Sequence, residues 1–355
     1  MKAVIDLLFL EHPAKNDDNT AAIVDGQLNI ATYKLNSLVE SQLYNSEPQH
    51  KKYQPYQLIN PLNMKTILVP TDFSAPAKNA ANYAINLAQN IKAGLILCHA
   101  IKIPSETPMA AQVAWPLEDY TSLKADADKE LEQLSVTLQQ ESPYAKAGSG
   151  HNVITTYCDV GEVVDVVTGK IDEEKSVMVV MGMSGAGAMS RFFLGSNTQD
   201  MISDAAFPVL LIPSQAKYHP VTKIAFATDL NSSDIEMIHS VASLARYFNA
   251  ELLIAHVTDE KYETGDEKQQ VEAFLNEVTC KANYPKIYYR HIKGTGIMRG
   301  LDWLSEHGVI DMLVMVHRKV NPLERLFGIS YTKKLSHHIE IPLLVLPEGL
   351  PPLHF

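Results

Sequence analysis

The sequence predicts an α/β protein made of two doubly wound parallel sheets. Three observations carry that prediction. Short apolar runs alternate with longer amphipathic stretches along most of the chain. The runs are continuous rather than alternating in polarity, as strands buried on both faces of a parallel sheet must be. The series is also written twice: "KTILVPTDFS" (Lys65–Ser74) returns as "KIAFATDLNS" (Lys223–Ser232), and "LILCHA" (Leu95–Ala100) as "LLIAHV" (Leu252–Val257). "SVMVVMG" (Ser176–Gly182) returns as "DMLVMVH" (Asp311–His317), and "FPVLLIP" (Phe207–Pro213) as "IPLLVLP" (Ile341–Pro347). The separation is 157 residues at Asp72/Asp229, 135 at Gly182/His317 and 134 at Pro208/Pro342, so order is kept while the middle of the second copy shortens.

Each copy reads as five strands and four helices. In the first, Ser74 caps a helix on which Ala77, Ala80, Ala84, Leu87, Ala88 and Ile91 recur at helical spacing. Tyr120, Leu123, Ala127, Leu131, Leu134 and Leu138 mark a longer helix whose other face is Asp, Glu and Lys. In the second, Met237, Val241, Leu244, Ala245 and Phe248 repeat the capped helix. The domains are therefore 64–213 and 222–355, joined by a linker at 214–221. Residues 1–63 stand outside the repeat as an N-terminal extension. It carries a hairpin turning at Asp25-Gly26, a short helical pattern from Lys34 to Leu43, and then a polar linker.

With 355 residues the chain has material for two domains. Its net charge of −11 would repel a phosphate backbone, which disfavours a nucleic-acid partner. A small anion held by local N–H groups is still compatible with that charge. The three cysteines, Cys98, Cys158 and Cys280, form no CxxC pair and suit a reducing compartment, with Cys98 and Cys158 read as buried small hydrophobes. Asp6 interrupts the opening apolar stretch, and no run approaches the ~18–20 residues of a membrane span. The expectation is a soluble, cytoplasmic protein with no membrane partner.

Between the fourth apolar run and the next helix lies "MGMSGAGAMSRFFLGSNTQDM" (Met181–Met201). Glycine costs roughly 0.8–1 kcal/mol relative to alanine in a helix, so these glycines belong to a loop. The loop leaves the carboxyl end of a strand, where open α/β sheets bind ligands. It re-enters a helix at Ser196-Asn197-Thr198, and capped N–H groups there offer an anion site. On this reading Gly182 and Gly185 let the backbone approach phosphate oxygens, Gly195 permits a sharp entry into the helix, and Ser196 and Thr198 add hydroxyl donors. A dinucleotide fingerprint belongs after the first strand, and a Walker-type loop needs a lysine that is missing. A glycine-rich turn with no ligand stays open.

Residues Met64–Pro213 resemble a universal stress protein domain of the ATP-binding kind. That family's mark is Gly, two residues, Gly, nine residues, Gly, then Ser or Thr; here Gly182, Gly185, Gly195 and Ser196 fill it. Pro70-Thr71-Asp72 matches the end of the family's first strand, and His99-Ala100 the end of its second. The resemblance implies two Rossmann-like (adenine nucleotide alpha hydrolase-like) domains. Each would be a five-stranded parallel sheet of order 3-2-1-4-5 with helices on both faces. It also implies ATP with Mg2+ in the first domain, held by Thr71, Asp72, Ala100, Gly182, Gly185, Gly195, Ser196, Asn197 and Thr198. Asp72 would lie beside the nucleoside, the backbone at Ala100 against the adenine, and the glycine loop with its hydroxyls around the phosphates.

The second copy departs from the pattern. Asp229 and Val257 persist, but His317 and Val320 stand for the first two glycines, and Gly328 is followed by Ile329. No ATP is expected there. Arg318, Lys319 and Arg325 read as a solvated basic loop, with a site for some other anion as the alternative, and His337-His338 is not a metal motif.

No nucleophile–base pair is evident, His99 reads as a satisfied core histidine, and HxGH and SGGxDS signatures are missing. Arg191 in the glycine loop is a lone candidate for stabilising transferred charge. The resemblance thus points to a nucleotide-dependent regulator in the stress response, with a slow ATPase or chaperone-like factor as the alternative. The apolar fifth strands, Pro208–Pro213 and Pro342–Pro347, are sheet edges in a 3-2-1-4-5 order and need covering. They are expected side by side, making the chain an intramolecular pseudo-dimer and leaving a further homodimer open.

Overall fold

Every repeated apolar run is a strand. In the first copy these are β1 (Thr66–Pro70), β2 (Gly94–Ile101), β3 (Ile154–Val160), β4 (Met178–Met183) and β5 (Val209–Pro213). In the second they are β6 (Lys223–Thr228), β7 (Glu251–Thr258), β8 (Ile287–Lys293), β9 (Met312–His317) and β10 (Leu343–Pro347). The helices are α1 (Ala75–Ile91), α2 (Leu117–Glu141), α3 (Val163–Glu174) and α4 (Ser196–Asp204), then α5 (Asp234–Phe248) and α6 (Glu267–Ala282). The computed structural model describes residues 65–102, 117–141, 153–174, 176–183, 196–258, 267–293, 300–301, 303–305, 310–318 and 339–353. The extension 1–63, with its expected hairpin and helix, lies outside the described residues. So does most of the chain where the last two helices of the second copy are expected, although Gly300, Leu301 and Trp303–Ser305 are helical.

The strands form one ten-stranded sheet in the order β3-β2-β1-β4-β5-β10-β9-β6-β7-β8. Each copy therefore has the order 3-2-1-4-5, parallel throughout. The two fifth strands meet antiparallel, with Leu343 opposite Leu211, Leu344 opposite Leu210 and Val345 opposite Val209. An apolar edge on each copy is thereby replaced by a ladder. Alternate side chains serve opposite faces. Ile67, Val69, Leu95 and Leu97 belong to the core beneath α1 and α2, which continues beneath α5 and α6. Leu68, Ile96 and Cys98 belong to the core on the opposite face with α3 and α4.

The helices follow their sequence signals. Ser74 caps α1, its hydroxyl accepting from Ala77 N, and all six expected inward residues of α1 are buried. The apolar stripe of α2 holds from Ala127 to Leu138, but Leu123, expected inward, is 45% exposed. Cys98 and Cys158 are buried, and burial pushes their thiols up to about 12 and about 11, so both are inert at neutral pH. The linker is held to the first copy: Asn79 donates to the carbonyls of Pro213 and Ala216, and Tyr218 packs edge-on against Tyr83. The second copy starts on Asp311, whose Oδ2 accepts from Thr222 N, Thr222 Oγ1 and Lys223 N. Among the described residues no helix is long and apolar enough to cross a membrane.

Candidate functional site

The crevice of a doubly wound sheet opens where strand order reverses, here between β1 and β4. These strands pair at only two positions, Ile67 with Met178 and Leu68 with Val179. The cause is local: Pro70 has no N–H to give the next ladder bond. Beyond that point β1 and β4 part, and a cavity of about 280 Å3 lies at their carboxyl ends. In the second copy the corresponding strands, β6 and β9, pair at four positions, up to Ala227 with Met315. Ala227 occupies the place of Pro70 and has the N–H that Pro70 lacks.

The cavity gathers most of the expected site. Thr71, Asp72, Ala100, Gly182, Asn197 and Thr198 all line it. Ser196 is the first residue of α4, beside them and exposed. Gly185 and Gly195, with Arg191, lie outside the described residues. Asp72 is exposed, and its Oδ1 accepts from Ser74 N at 3.0 Å, which aims the carboxylate at the start of α1. Thr71 donates its N–H to the Cys98 carbonyl (2.8 Å), and its hydroxyl accepts from Phe73 N (3.0 Å). Phe73 itself is left-handed, with φ 62°. His99 donates from Nδ1 to the Thr71 carbonyl (2.8 Å). It is the satisfied histidine the sequence suggests, although it also borders the cavity. Thr198 is 5% exposed, in the first turn of α4 at the cavity's edge.

Packing alone requires glycine at Gly182. A Cβ built on it would lie 2.4 Å from the Pro76 carbonyl oxygen and 3.0 Å from Ala77 N. The end of β4 is packed directly on the first turn of α1, and hydrogen is the only substituent that fits.

Sequence reasoning overlooked Lys102, just past β2. Its ammonium lines the cavity, pairs with Glu162 at 2.9 Å and donates to Asn197 Oδ1 at 3.2 Å. A basic residue three positions after the strand-end histidine was the available signal. The apolar wall comes from Val163 and Val167 of α3 with Met181. Among the described residues no group of three or more His, Cys, Asp or Glu could hold a metal.

The second copy repeats the turn but not the cavity's contents. His256 donates from Nδ1 to the Thr228 carbonyl (3.0 Å), the Thr228 hydroxyl accepts from Leu230 N, and Leu230 is left-handed with φ 65°. Asp229 Oδ1 accepts from Asn231 N. Two sequence readings change here. Strand register places Val316, not His317, at the position of Gly182: Gly182 lies opposite Ile212 as Val316 lies opposite Leu346. The separation at this strand is thus 134 residues rather than 135. Arg318, moreover, is no solvated loop residue. It donates from Nη1 to Asp229 Oδ2 (2.9 Å) and from Nη2 to Asp234 Oδ1 (2.6 Å). Asp234 is 1% exposed, also accepts from the Thr228 hydroxyl, and stands where the first copy has Ala77. Burial outweighs the guanidinium and the hydroxyl, and pushes this carboxyl up to about 6.

Two Rossmann-like units sharing one sheet, the first with an open crevice at its switch point, define a tandem α/β protein of the doubly wound class. Residues 63–213 and 220–347 each match the model of the universal stress protein family, and the chain belongs to that family. A universal stress protein of Methanocaldococcus jannaschii is 24% identical over 153 residues, 43% of this chain and 84% of the relative. One from Thermus aquaticus is 29% identical over 148 residues, 42% of this chain and 98% of the relative. The crystal structure of a universal stress protein from Archaeoglobus fulgidus superposes on 80% of this chain and 98% of its own, with a TM-score of 0.58 at 15% identity. That likeness extends the shared fold across both copies.

Proposed function

We propose that the first copy binds ATP with magnesium and that the chain acts as a nucleotide-dependent regulator within the stress response. The observation that carries this reading is the crevice at the β1/β4 switch point. It brings Asp72, Ala100 and the first turn of α4, with Thr198, to one cavity with an apolar wall. These residues fit a nucleotide. Val163, Val167 and Met181 offer an apolar surface to a base, Asp72 can accept from ribose hydroxyls, and Ser196, Asn197 and Thr198 present donors to phosphate at a helix N-terminus. Gly185 and Gly195 complete the proposed cradle from sequence. Magnesium would be held by the phosphates rather than by a protein cage, as is common for this ion.

The second copy is proposed to take no nucleotide by this mode, because Arg318 already satisfies Asp229. Its proposed role is that of a built-in dimer partner, a reading supported by the β5–β10 ladder. Calorimetric titration of the full chain with MgATP tests the assignment. One site per chain is expected. Two sites would place a nucleotide in the second copy, and no binding would end the reading. Phosphate release well below ~1 s⁻¹, the low end of ordinary enzyme rates, is expected of a regulator.

A further inference from the structure

Lys102 is held where the cavity meets α4. Its ammonium bridges Glu162, in the turn before α3, and Asn197, in the first turn of α4. Among the described residues lining the cavity it is the one lysine or arginine, facing the carboxylates of Asp72 and Glu162 in a chain of net charge −11. An anion entering here needs a cation, and this one is available. The side chains of Lys102 and Glu162 are 50% and 69% exposed, and so open an ion pair is weak and exchangeable. The contact to Asn197 keeps the ammonium over the N-terminal turn of α4, where the helix field favours negative charge. Thr198, which also lines the cavity, lies one residue further into that turn.

We propose that Lys102 makes the first copy read phosphate charge. It exchanges Glu162 for the phosphate chain of a nucleoside di- or triphosphate, so that the site selects ATP and ADP over adenosine. The inference rests on the nucleotide reading above and adds to it the residue that sets selectivity. Glu162 is then the competitor that keeps the ammonium in place while phosphate is elsewhere.

The test is calorimetry on the full chain with adenosine, ADP and ATP, at low and at physiological salt. Lys102→Ala should lower the ratio of ATP to adenosine affinity about tenfold, the scale of one partly exposed charge-assisted hydrogen bond. Lys102→Arg should restore most of that ratio. Glu162→Gln should raise ATP affinity a few-fold by removing the competitor. An unchanged ratio in Lys102→Ala, or a loss in Glu162→Gln as large as in Lys102→Ala, overturns the inference while the nucleotide site stands. Wild-type protein that binds neither adenosine nor ATP overturns both.

Discussion

The carboxyl ends of the two half-sheets start from the same turn and arrive at different sites. Each has a Thr hydroxyl accepting from a left-handed residue, an Asp accepting from the N–H two residues on, and a His donating to the Thr carbonyl. They part at three positions. Pro70 stops the β1–β4 ladder where Ala227 continues it, Gly182 becomes Val316, and Ala77 becomes Asp234, which draws in Arg318. One copy thus keeps a crevice with an exposed Asp72, and in the other the matching Asp229, also exposed, pairs with Arg318. The turn chemistry is a frame that either outcome can use. The contents are decided by which neighbours leave space.

The comparison breaks most severely at Gly182. Gly182→Val drives a side chain into the backbone of Pro76 and Ala77, which cannot rotate away, and should cost about 3 kcal/mol or more. Urea unfolding of the full chain measures this, and a stability within ~0.5 kcal/mol of wild type would show that β4 does not rest on α1. With the expected loss of stability, a loss of nucleotide binding in that variant reports lost packing and not a filled phosphate site.

Next in size is the pH response of Asp234, whose folded-state value of about 6 lies above its ordinary 3.8. The folded chain therefore binds the proton more readily, and this group's contribution is most favourable below about pH 4. It is lost as pH rises through 6. Wild-type stability relative to Asp234→Asn should fall by up to ~3 kcal/mol across that window. A flat difference would mean that Asp234 is ionised throughout.

Arg318→Ala should cost about 2–3 kcal/mol at pH 8, less than a fully buried pair because the guanidinium is partly exposed. The loss should shrink at pH 5, where the Asp234 carboxyl is protonated. An equal loss at both values would assign the effect to packing instead.

The smallest effect sharpens the contrast. Asp72→Ala should weaken ATP binding by about 1.5 kcal/mol, while Asp229→Ala should leave it unchanged. Equal losses from the two variants would mean that both copies take nucleotide.

Much of the fold was legible because it depends on short-range pattern. Continuous apolar runs marked the strands, the Ser74 cap and the 3.6-residue spacing marked α1, and the repetition of both revealed the duplication. Strand order came with the family resemblance carried by the motifs after the first, second and fourth runs, and the sheet has that order. Sequence alone therefore determined a tandem α/β chain, its membership-bearing glycine pattern, and the place where Thr71, Asp72, Ala100, Asn197 and Thr198 would meet. Only the tertiary structure decided what each position is for. The register of β9 put Val316 rather than His317 at the place of Gly182, because a ladder counts residues from its partner strand and not along the chain. Gly182 turned out to face helix backbone, Lys102 to reach across from β2 to α4, and Arg318 to fold back on Asp229 and Asp234. These are contacts between residues 80 or more apart in sequence, set by which side chain fills which space. No local periodicity encodes them.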